Sequence, residues 1–183
     1  MTLSRLLPLT CFLVLLALPL PAVVADADVM LVLDNSGSMK RNDPGFLVRD
    51  AVTGFIERLD SEARVGVVIF DQDVALAMPL TALGEGGRDG VLASLERVDY
   101  RGQLTDSPSG VERAIYELKS NGRDDARRLI VFMTDGIVDT GDPALDVEKT
   151  RWLRTELAED ADEAGIAIFS IAFTENADFF LTQ

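Results

Sequence analysis

Five short apolar runs recur along the chain, and polar or glycine-containing segments separate them. Such runs are typical of strands, and the first of them is predicted to be buried on both faces of a sheet. They occupy residues 29–33, 64–70, 74–80, 129–133 and 166–173. Only Asp71-Gln72-Asp73 separates the second run from the third, so these two are predicted to form an antiparallel hairpin.

Amphipathic helical patterns separate the other runs. One helix is predicted from about residue 44 to residue 60, with Pro44 in its first turn and an apolar face made of Val48, Val52, Phe55, Ile56 and Leu59. Further helices are predicted over residues 91–98, 111–118 and 153–164. This alternation predicts an α/β domain whose mainly parallel sheet is covered by helices on both faces.

Residues 1–25 differ in character from the rest of the chain. Arg5 is their only charged residue, an apolar centre spans residues 12–18, and small residues near Ala25 fit a cleavage site. This arrangement is typical of a secretory signal peptide, so the mature domain is expected to span residues 26–183 and to be periplasmic, extracellular or on the cell surface. The alternative is an uncleaved membrane anchor, which would also leave Arg5 inside and the remainder exported.

The composition narrows the chemistry of the exported part. The chain has 17 Lys and Arg against 31 Asp and Glu, a net charge of −14 that becomes −15 when Arg5 leaves with the leader. This balance argues against a nucleic-acid surface, which needs clustered basic residues. There is no His, and the single Cys, Cys11, lies in the leader. Histidine-based catalysis, His-containing zinc sites and internal disulfides are therefore excluded, and any bound metal is expected to be a hard cation held by oxygen.

The end of the sequence carries another apolar pattern. Residues 177–181 resemble the opening of a helix, and the sequence ends two residues later at Gln183. We expect from this pattern that the sequence is a fragment or a truncated product.

Oxygen-bearing side chains cluster where predicted strands end. In an open parallel sheet, ligands bind at the carboxyl ends of the strands. Hydroxyls are neutral hard ligands and carboxylates supply charge, a combination that suits Mg²⁺ with several retained waters. Gly37 is expected to permit a tight turn among these residues. The cluster consists of Asp34, Ser36 and Ser38 after the first strand, Thr105-Asp106 before a helix, and Thr134-Asp135-Gly136 after the fourth strand.

These three elements resemble, in order and in context, the metal-ion-dependent adhesion site of the von Willebrand factor type A domain. The resemblance covers about residues 28–183 and rests on Asp34-x-Ser36-x-Ser38, Thr105-Asp106 and Thr134-Asp135-Gly136. It implies a Rossmann-like three-layer fold with a mainly parallel sheet and one antiparallel edge strand. The last helix of the family would lie beyond Gln183, so the resemblance implies a domain that lacks its C-terminal helix.

The resemblance also implies the roles of individual residues. Ser36, Ser38 and Thr105 would bind Mg²⁺ (or Mn²⁺ or Ca²⁺) directly, whereas Asp34 and Asp135 would act largely through water or as near ligands. One coordination position would stay open for an Asp or Glu of a partner protein. The implied function is an exported, non-enzymatic, metal-dependent adhesion or scaffold domain. Supporting positions would be Asn35, Gly37, Asp106 and Gly136.

Each element of this site also has a purely structural interpretation. Asp34 could cap its loop, and the two serines could make local hydrogen bonds. Asp106 is interpreted as a helix cap or a supporting residue, and Asn42-Asp43 as a cap of the first helix. Asp71 and Asp73 are interpreted as a hairpin turn.

Three other functional classes need to be weighed. Val138-Asp139-Thr140-Gly141 matches the short signature of aspartic proteases, but a second such motif would be needed for paired carboxylates. A magnesium-dependent phosphotransferase of the haloacid-dehalogenase-like type would use Asp34 as its nucleophile. That family has a second Asp two residues later as acid or base, where this chain has Ser36. A third possibility is a domain that binds partners without a metal.

Overall fold

A five-stranded sheet forms the centre of the domain in the computed structural model, which describes residues 27–136 and 138–173. The strand order is β3-β2-β1-β4-β5, with β3 antiparallel to β2 and the other neighbouring pairs parallel. The strands are β1 Ala27–Asp34, β2 Arg64–Phe70, β3 Val74–Ala82, β4 Arg127–Thr134 and β5 Ile166–Ala172. The predicted leader over residues 1–25 and the apolar segment 177–181 lie outside the described residues.

Helices cover both faces of this sheet. The helices are α1 Met39–Asn42, α2 Leu47–Ile56, α3 Gly87–Leu95, α4 Ser107–Asn121, α5 Pro143–Arg154 and α6 Glu156–Glu163, with a 3₁₀ turn at Leu83–Glu85. The buried side chains of α2 and α3 pack with one face of the sheet, and those of α4, α5 and α6 pack with the other. The predicted three-layer α/β fold, with one antiparallel edge strand, is confirmed.

The central strand β1 is buried along its whole length. Val29, Leu31 and Leu33 contribute to one core, whereas Met30 and Val32 contribute to the core on the opposite face. Alternate residues of a strand point to opposite faces, so a strand covered on both faces must be apolar throughout. The continuous apolar run that predicted this strand therefore reflects its place at the centre of a double-sided core.

The first long helix begins later than its apolar pattern predicts. It starts at Leu47 and not near Pro44, because both Asp43 carboxylate oxygens accept hydrogen bonds from the backbone N–H groups of Leu47 and Val48. Phe46 adopts a left-handed conformation, with φ of 55°, immediately before the first turn. Asp43 is thus the cap that the sequence predicted.

Two other helices differ from prediction. The helix predicted over residues 91–98 instead spans Gly87–Leu95, because the glycine at its start fits where a Cβ would lie 2.5 Å from Ala82 O. The helix predicted over residues 153–164 corresponds to the end of α5 and to α6, which are separated at Thr155, whose φ of −113° and ψ of −81° leave the helical region. The greater part of α5, which begins at Pro143, was not predicted. Leu153 and Leu157 lie on either side of this break and pack into the same core.

None of the helices within residues 27–136 and 138–173 is both long enough and apolar enough to cross a bilayer.

Candidate metal site

The candidate site lies at the carboxyl edge of the sheet, above the neighbouring strands β1 and β4. These strands are parallel and in register, with Leu33 beside Met133, so the segments that follow them emerge side by side. Asp34 ends β1, and Asp135 immediately follows β4. The topology therefore brings together two carboxylates that are about one hundred positions apart in the sequence.

A chain of hydrogen bonds joins both serines to Asp135. The Ser36 and Ser38 hydroxyl oxygens are 3.0 Å apart, and Ser38 Oγ donates to Asp135 Oδ1 at 2.9 Å. Because Ser38 has a single hydroxyl proton and donates it to the carboxylate, Ser36 must be the donor in the bond between the serines. Each hydroxyl keeps at least one free lone pair in this arrangement. Two of the three predicted hydroxyls, those of Ser36 and Ser38, and one predicted carboxylate thus form one cluster.

Asp34 supports the cluster from below and is fully buried. Its Oδ1 accepts from the Ser36 backbone N–H at 2.7 Å, and its Oδ2 accepts from Thr134 Oγ1 at 2.6 Å. Burial raises the pKa of this carboxyl to about 6, although its hydrogen bonds with Ser36 and Thr134 offset part of the effect. Asp34 does cap its own loop, as the structural interpretation proposed, and it does so as a buried acid beside the serine cluster.

Thr105 is placed by its backbone and not by a hydrogen bond to the serines. Its N–H donates to Asp139 O at 2.7 Å, and its carbonyl accepts from Asp139 N at 3.0 Å. Its methyl group Cγ2 would lie 3.8 Å from a Cβ built on Gly136. The loop that resembles a protease signature therefore has a structural role, which is to hold Thr105 beside the segment that carries Asp135.

The predicted supporting residues hold the loops in place. Asn35 Oδ1 accepts from the backbone N–H groups of Asp99 and Tyr100, both at 2.8 Å, and Asn35 Nδ2 donates to Asp71 Oδ2 at 3.3 Å. Gly37 N donates to Gly102 O at 2.8 Å, and a Cβ on Gly37 would lie only 2.9 Å from that oxygen. Gly37 is thus required for close approach between loops, and its φ is not positive.

Asp106 functions as a helix cap with a basic partner. Its Oδ2 accepts from Ser109 Oγ at 2.9 Å, and Lys149 Nζ donates to the same carboxylate. Its backbone N–H donates to Asp71 O at 2.8 Å, which links the loop before α4 to the β2–β3 turn. The Asp71-Gln72-Asp73 turn is confirmed, since the Asp73 N–H donates to Asp71 Oδ1 at 3.0 Å.

Asn42 contacts the site, although the sequence pattern assigned it to a helix cap. It was predicted to cap α2 together with Asp43, but its Nδ2 donates to Asp135 Oδ2 at 2.7 Å. The spacing could have revealed this contact, because Asn42 follows Ser38 by four positions and side chains so spaced share one face of a helical turn. The prediction missed it because α1 is only four residues long and lacks an apolar pattern.

The chemistry of the cluster fits a hard divalent cation. Among the residues within 27–136 and 138–173, no group of three carboxylates is arranged around a point, and the cluster relies on hydroxyls with two acids. Every hydrogen bond to Asp34 in this part of the chain comes from a hydroxyl or a backbone N–H, with no basic side chain nearby. Oxygen donors around a buried acid that lacks a basic partner are the surroundings that Mg²⁺ or a similar ion prefers.

This fold and site define a class of protein. The sequence profile of the von Willebrand factor type A domain matches residues 28–183. The chain belongs to this family.

One relative is similar in sequence, and two solved structures share the fold. An uncharacterized protein of Synechocystis sp. is 31% identical in an alignment of 130 residues that covers 66% of this chain and 30% of the relative. This chain therefore spans less than a third of that relative's length. The PilB minor pilin of Streptococcus sanguinis is 16% identical with a TM-score of 0.65, covering 85% of this chain and 52% of the pilin. Proximal thread matrix protein 1 of the mussel byssus was solved with zinc in its MIDAS motif, the abbreviation for metal-ion-dependent adhesion site. It is 20% identical with a TM-score of 0.63, and the match covers 80% of this chain and 38% of the mussel protein.

Proposed function

We propose that this chain is an exported protein-interaction domain that binds a divalent cation and uses it to engage an acidic residue of a partner. The single observation that carries the proposal is the continuous cluster of hydroxyls and carboxylates beside buried Asp34, which has no basic partner among the described residues. The proposed metal residues are Asp34, Ser36, Ser38, Thr105 and Asp135.

The proposed division of roles is the one that the resemblance to the metal-ion-dependent adhesion site implies. Ser36, Ser38 and Thr105 would bind the ion directly, and Asp34 and Asp135 would act largely through water. An ion with few directly bound anions remains attractive to an external carboxylate, and this is the chemistry that the metal would supply. Mg²⁺ is the proposed cofactor, with Mn²⁺ or Ca²⁺ as alternatives. Asn35, Gly37, Asp106 and Gly136 would hold the loops in place.

Local charge supports an acidic partner. The chain carries a net charge of −14, which disfavours the approach of another acidic surface. Lys40 and Arg41 are exposed in α1, in the turn that follows Ser38, and add positive charge to the segment that carries two of the proposed ligands. An Asp or Glu of a partner would therefore meet favourable potential here, whereas most of the acidic surface would repel it.

The export proposal rests on the leader. Residues 1–25 have the basic start, apolar centre and small-residue end of a secretory signal peptide, and residues 26–183 would form the exported domain. A minor pilin among proteins of the same fold is in keeping with a location at or outside the cell envelope.

Phosphotransfer through Asp34 is disfavoured by the same geometry. Asp34 is fully buried, both of its oxygens accept hydrogen bonds, and Ser36 stands where the phosphotransferase needs its second acid. We therefore propose a non-enzymatic role. Metal-dependent hydrolysis of a generic phosphate ester that is lost in Asp34→Asn would contradict this conclusion.

Titration calorimetry tests the metal site. Mg²⁺ and Mn²⁺ are expected to bind the purified protein with one-to-one stoichiometry, and Asp34→Ala and Asp135→Ala are expected to abolish this binding. Asp73→Ala is the matched control, because Asp73 is an exposed aspartate at the same edge of the sheet. Binding that persists unchanged in both site variants would refute the assignment.

The partner chemistry is tested with a peptide pair. A short peptide with one Glu should bind the Mn²⁺-loaded protein and displace a metal-bound water, which lowers the water proton relaxation rate. The same peptide with Gln in place of Glu should have no such effect. Equal effects of both peptides would show that a carboxylate is not what the ion recognises.

A further inference from the structure

Asn42 fixes the second oxygen of the Asp135 carboxylate. Ser38 Oγ donates to Asp135 Oδ1 at 2.9 Å, and Asn42 Nδ2 donates to Asp135 Oδ2 at 2.7 Å. Both oxygens of this carboxylate are thus engaged by neutral donors from one short segment of the chain. Such paired donors restrict the rotation of a carboxylate.

The position of Asn42 is itself closely determined. The turn of α1 is closed by backbone bonds from Arg41 N to Ser38 O at 2.9 Å and from Asp43 N to Met39 O at 2.7 Å. Met39 and Asp43 are fully buried, one in the core and the other as the cap of α2. Asn42 itself is exposed, so it lies on the outer side of the site. In the sequence it stands between the buried residues Met39 and Asp43.

The type of donor matters because the side chain faces a proposed cation site. A Lys or Arg at this position would hold Asp135 equally well, but its positive charge would compete with the ion. The neutral amide of Asn42 orients the carboxylate without this competition. A carboxylate whose two oxygens are both held is also less free to turn and bind a metal through both oxygens.

We propose that Asn42 is a positioning residue that keeps Asp135 from binding the metal directly and so favours Mg²⁺ over Ca²⁺. The inference rests on the proposed metal site. Mg²⁺ retains several waters and accepts a carboxylate that acts through water, whereas Ca²⁺ takes six to eight oxygen ligands and often a bidentate carboxylate. Release of Asp135 Oδ2 therefore helps Ca²⁺ more than it helps Mg²⁺.

The test measures Mg²⁺ and Ca²⁺ affinities of the purified protein and of Asn42→Ala by calorimetry. Loss of a supporting hydrogen bond at a metal site costs about 10- to 100-fold in affinity, so we expect Mg²⁺ binding to weaken by at least about tenfold. We expect Ca²⁺ binding to weaken much less, so that the preference shifts toward Ca²⁺. Asn42→Gln keeps the amide donor and should restore part of the Mg²⁺ preference.

The matched control is Asn121→Ala, since Asn121 is also an exposed asparagine that ends a helix. It should leave both affinities unchanged. An Asn42→Ala protein with the wild-type ratio of Mg²⁺ to Ca²⁺ affinity would overturn the positioning role, even if both affinities fell together. Wild-type protein that binds neither ion would overturn the proposed metal site, and this inference with it.

Discussion

Two fully buried aspartates stand near opposite ends of β1 and differ in what surrounds them. Asp28 forms ion pairs with Arg123 at 2.8 Å and Arg64 at 3.7 Å, and it also accepts from the Arg123 backbone N–H. Asp34, six residues later, is held only by hydroxyl and backbone donors among the described residues. Burial of a carboxylate without a positive partner is costly. The contrast indicates that the charge of Asp28 is balanced by arginines of the protein itself, whereas the charge of Asp34 is suited to balance by a bound cation.

The largest expected effect is at the paired end of the strand. Removal of one partner from a buried ion pair costs about 3–5 kcal/mol, so Asp28→Asn should lower the free energy of unfolding by about that amount. Asp34→Asn, in the presence of a chelator, should change it by about 1 kcal/mol or less, because loss of an uncompensated charge offsets the altered hydrogen bonds. Urea unfolding of both variants measures the difference. An equal decrease in the free energy of unfolding in both variants would contradict the proposed difference between Asp28 and Asp34.

The stabilisation by metal should depend on Asp34 and not on Asp28. Mg²⁺ at about one hundred times its dissociation constant is expected to stabilise the wild-type protein by about 2.7 kcal/mol. Asp28→Asn should keep this increment, because its defect lies at the far end of β1, whereas Asp34→Asn should lose it. Thermal unfolding with and without Mg²⁺ gives both values. An increment that survives in Asp34→Asn would mean that the ion binds elsewhere.

A smaller effect tests whether an aspartate at this edge of the sheet contributes to metal binding even when it is paired with a basic residue. Asp106 lies at the same edge as Asp34 but caps α4 and pairs with Lys149. Asp106→Ala should therefore lower stability by about 1 kcal/mol, as loss of a cap does, with Mg²⁺ and without it. The stabilising increment from Mg²⁺ should remain. Its disappearance, measured by the same thermal unfolding, would place Asp106 among the metal residues.

The sequence predicted those parts of the fold that depend on the apolar pattern. All five strands and the antiparallel pairing of β2 with β3 were predicted from their apolar runs. The central strand β1 is apolar throughout because it is buried on both faces, whereas the edge strands β3 and β5 are only partly buried. The ends of the helices were predicted less well from the sequence. The start of α2 depends on the buried carboxylate of Asp43, and the break at Thr155 leaves the apolar spacing of Leu153 and Leu157 intact. The spacing of apolar residues therefore predicts neither the start of α2 nor the break at Thr155.

The candidate site shows the same division. The order of the motifs predicted that Asp34, the two serines and Asp135 would meet, and the hydrogen bonds place them together. The contact of Asn42 with Asp135 was missed, since it arises from a four-residue helix that no apolar pattern indicates. Gly37 does lie in a tight turn, which the bond from Met39 N to Ser36 O closes at 3.2 Å, but its close approach to Gly102 was not predicted, because it joins two loops that are distant in sequence.

The most direct test of the central claim is anomalous diffraction from crystals of this protein grown with Mn²⁺. The central claim is that the Asp34 end of β1 holds a divalent cation. We expect a single strong anomalous peak bordered by the hydroxyls of Ser36, Ser38 and Thr105, with Asp34 and Asp135 close by. The absence of a peak there, or a peak beside other acids such as Asp71 and Asp99, would contradict the claim.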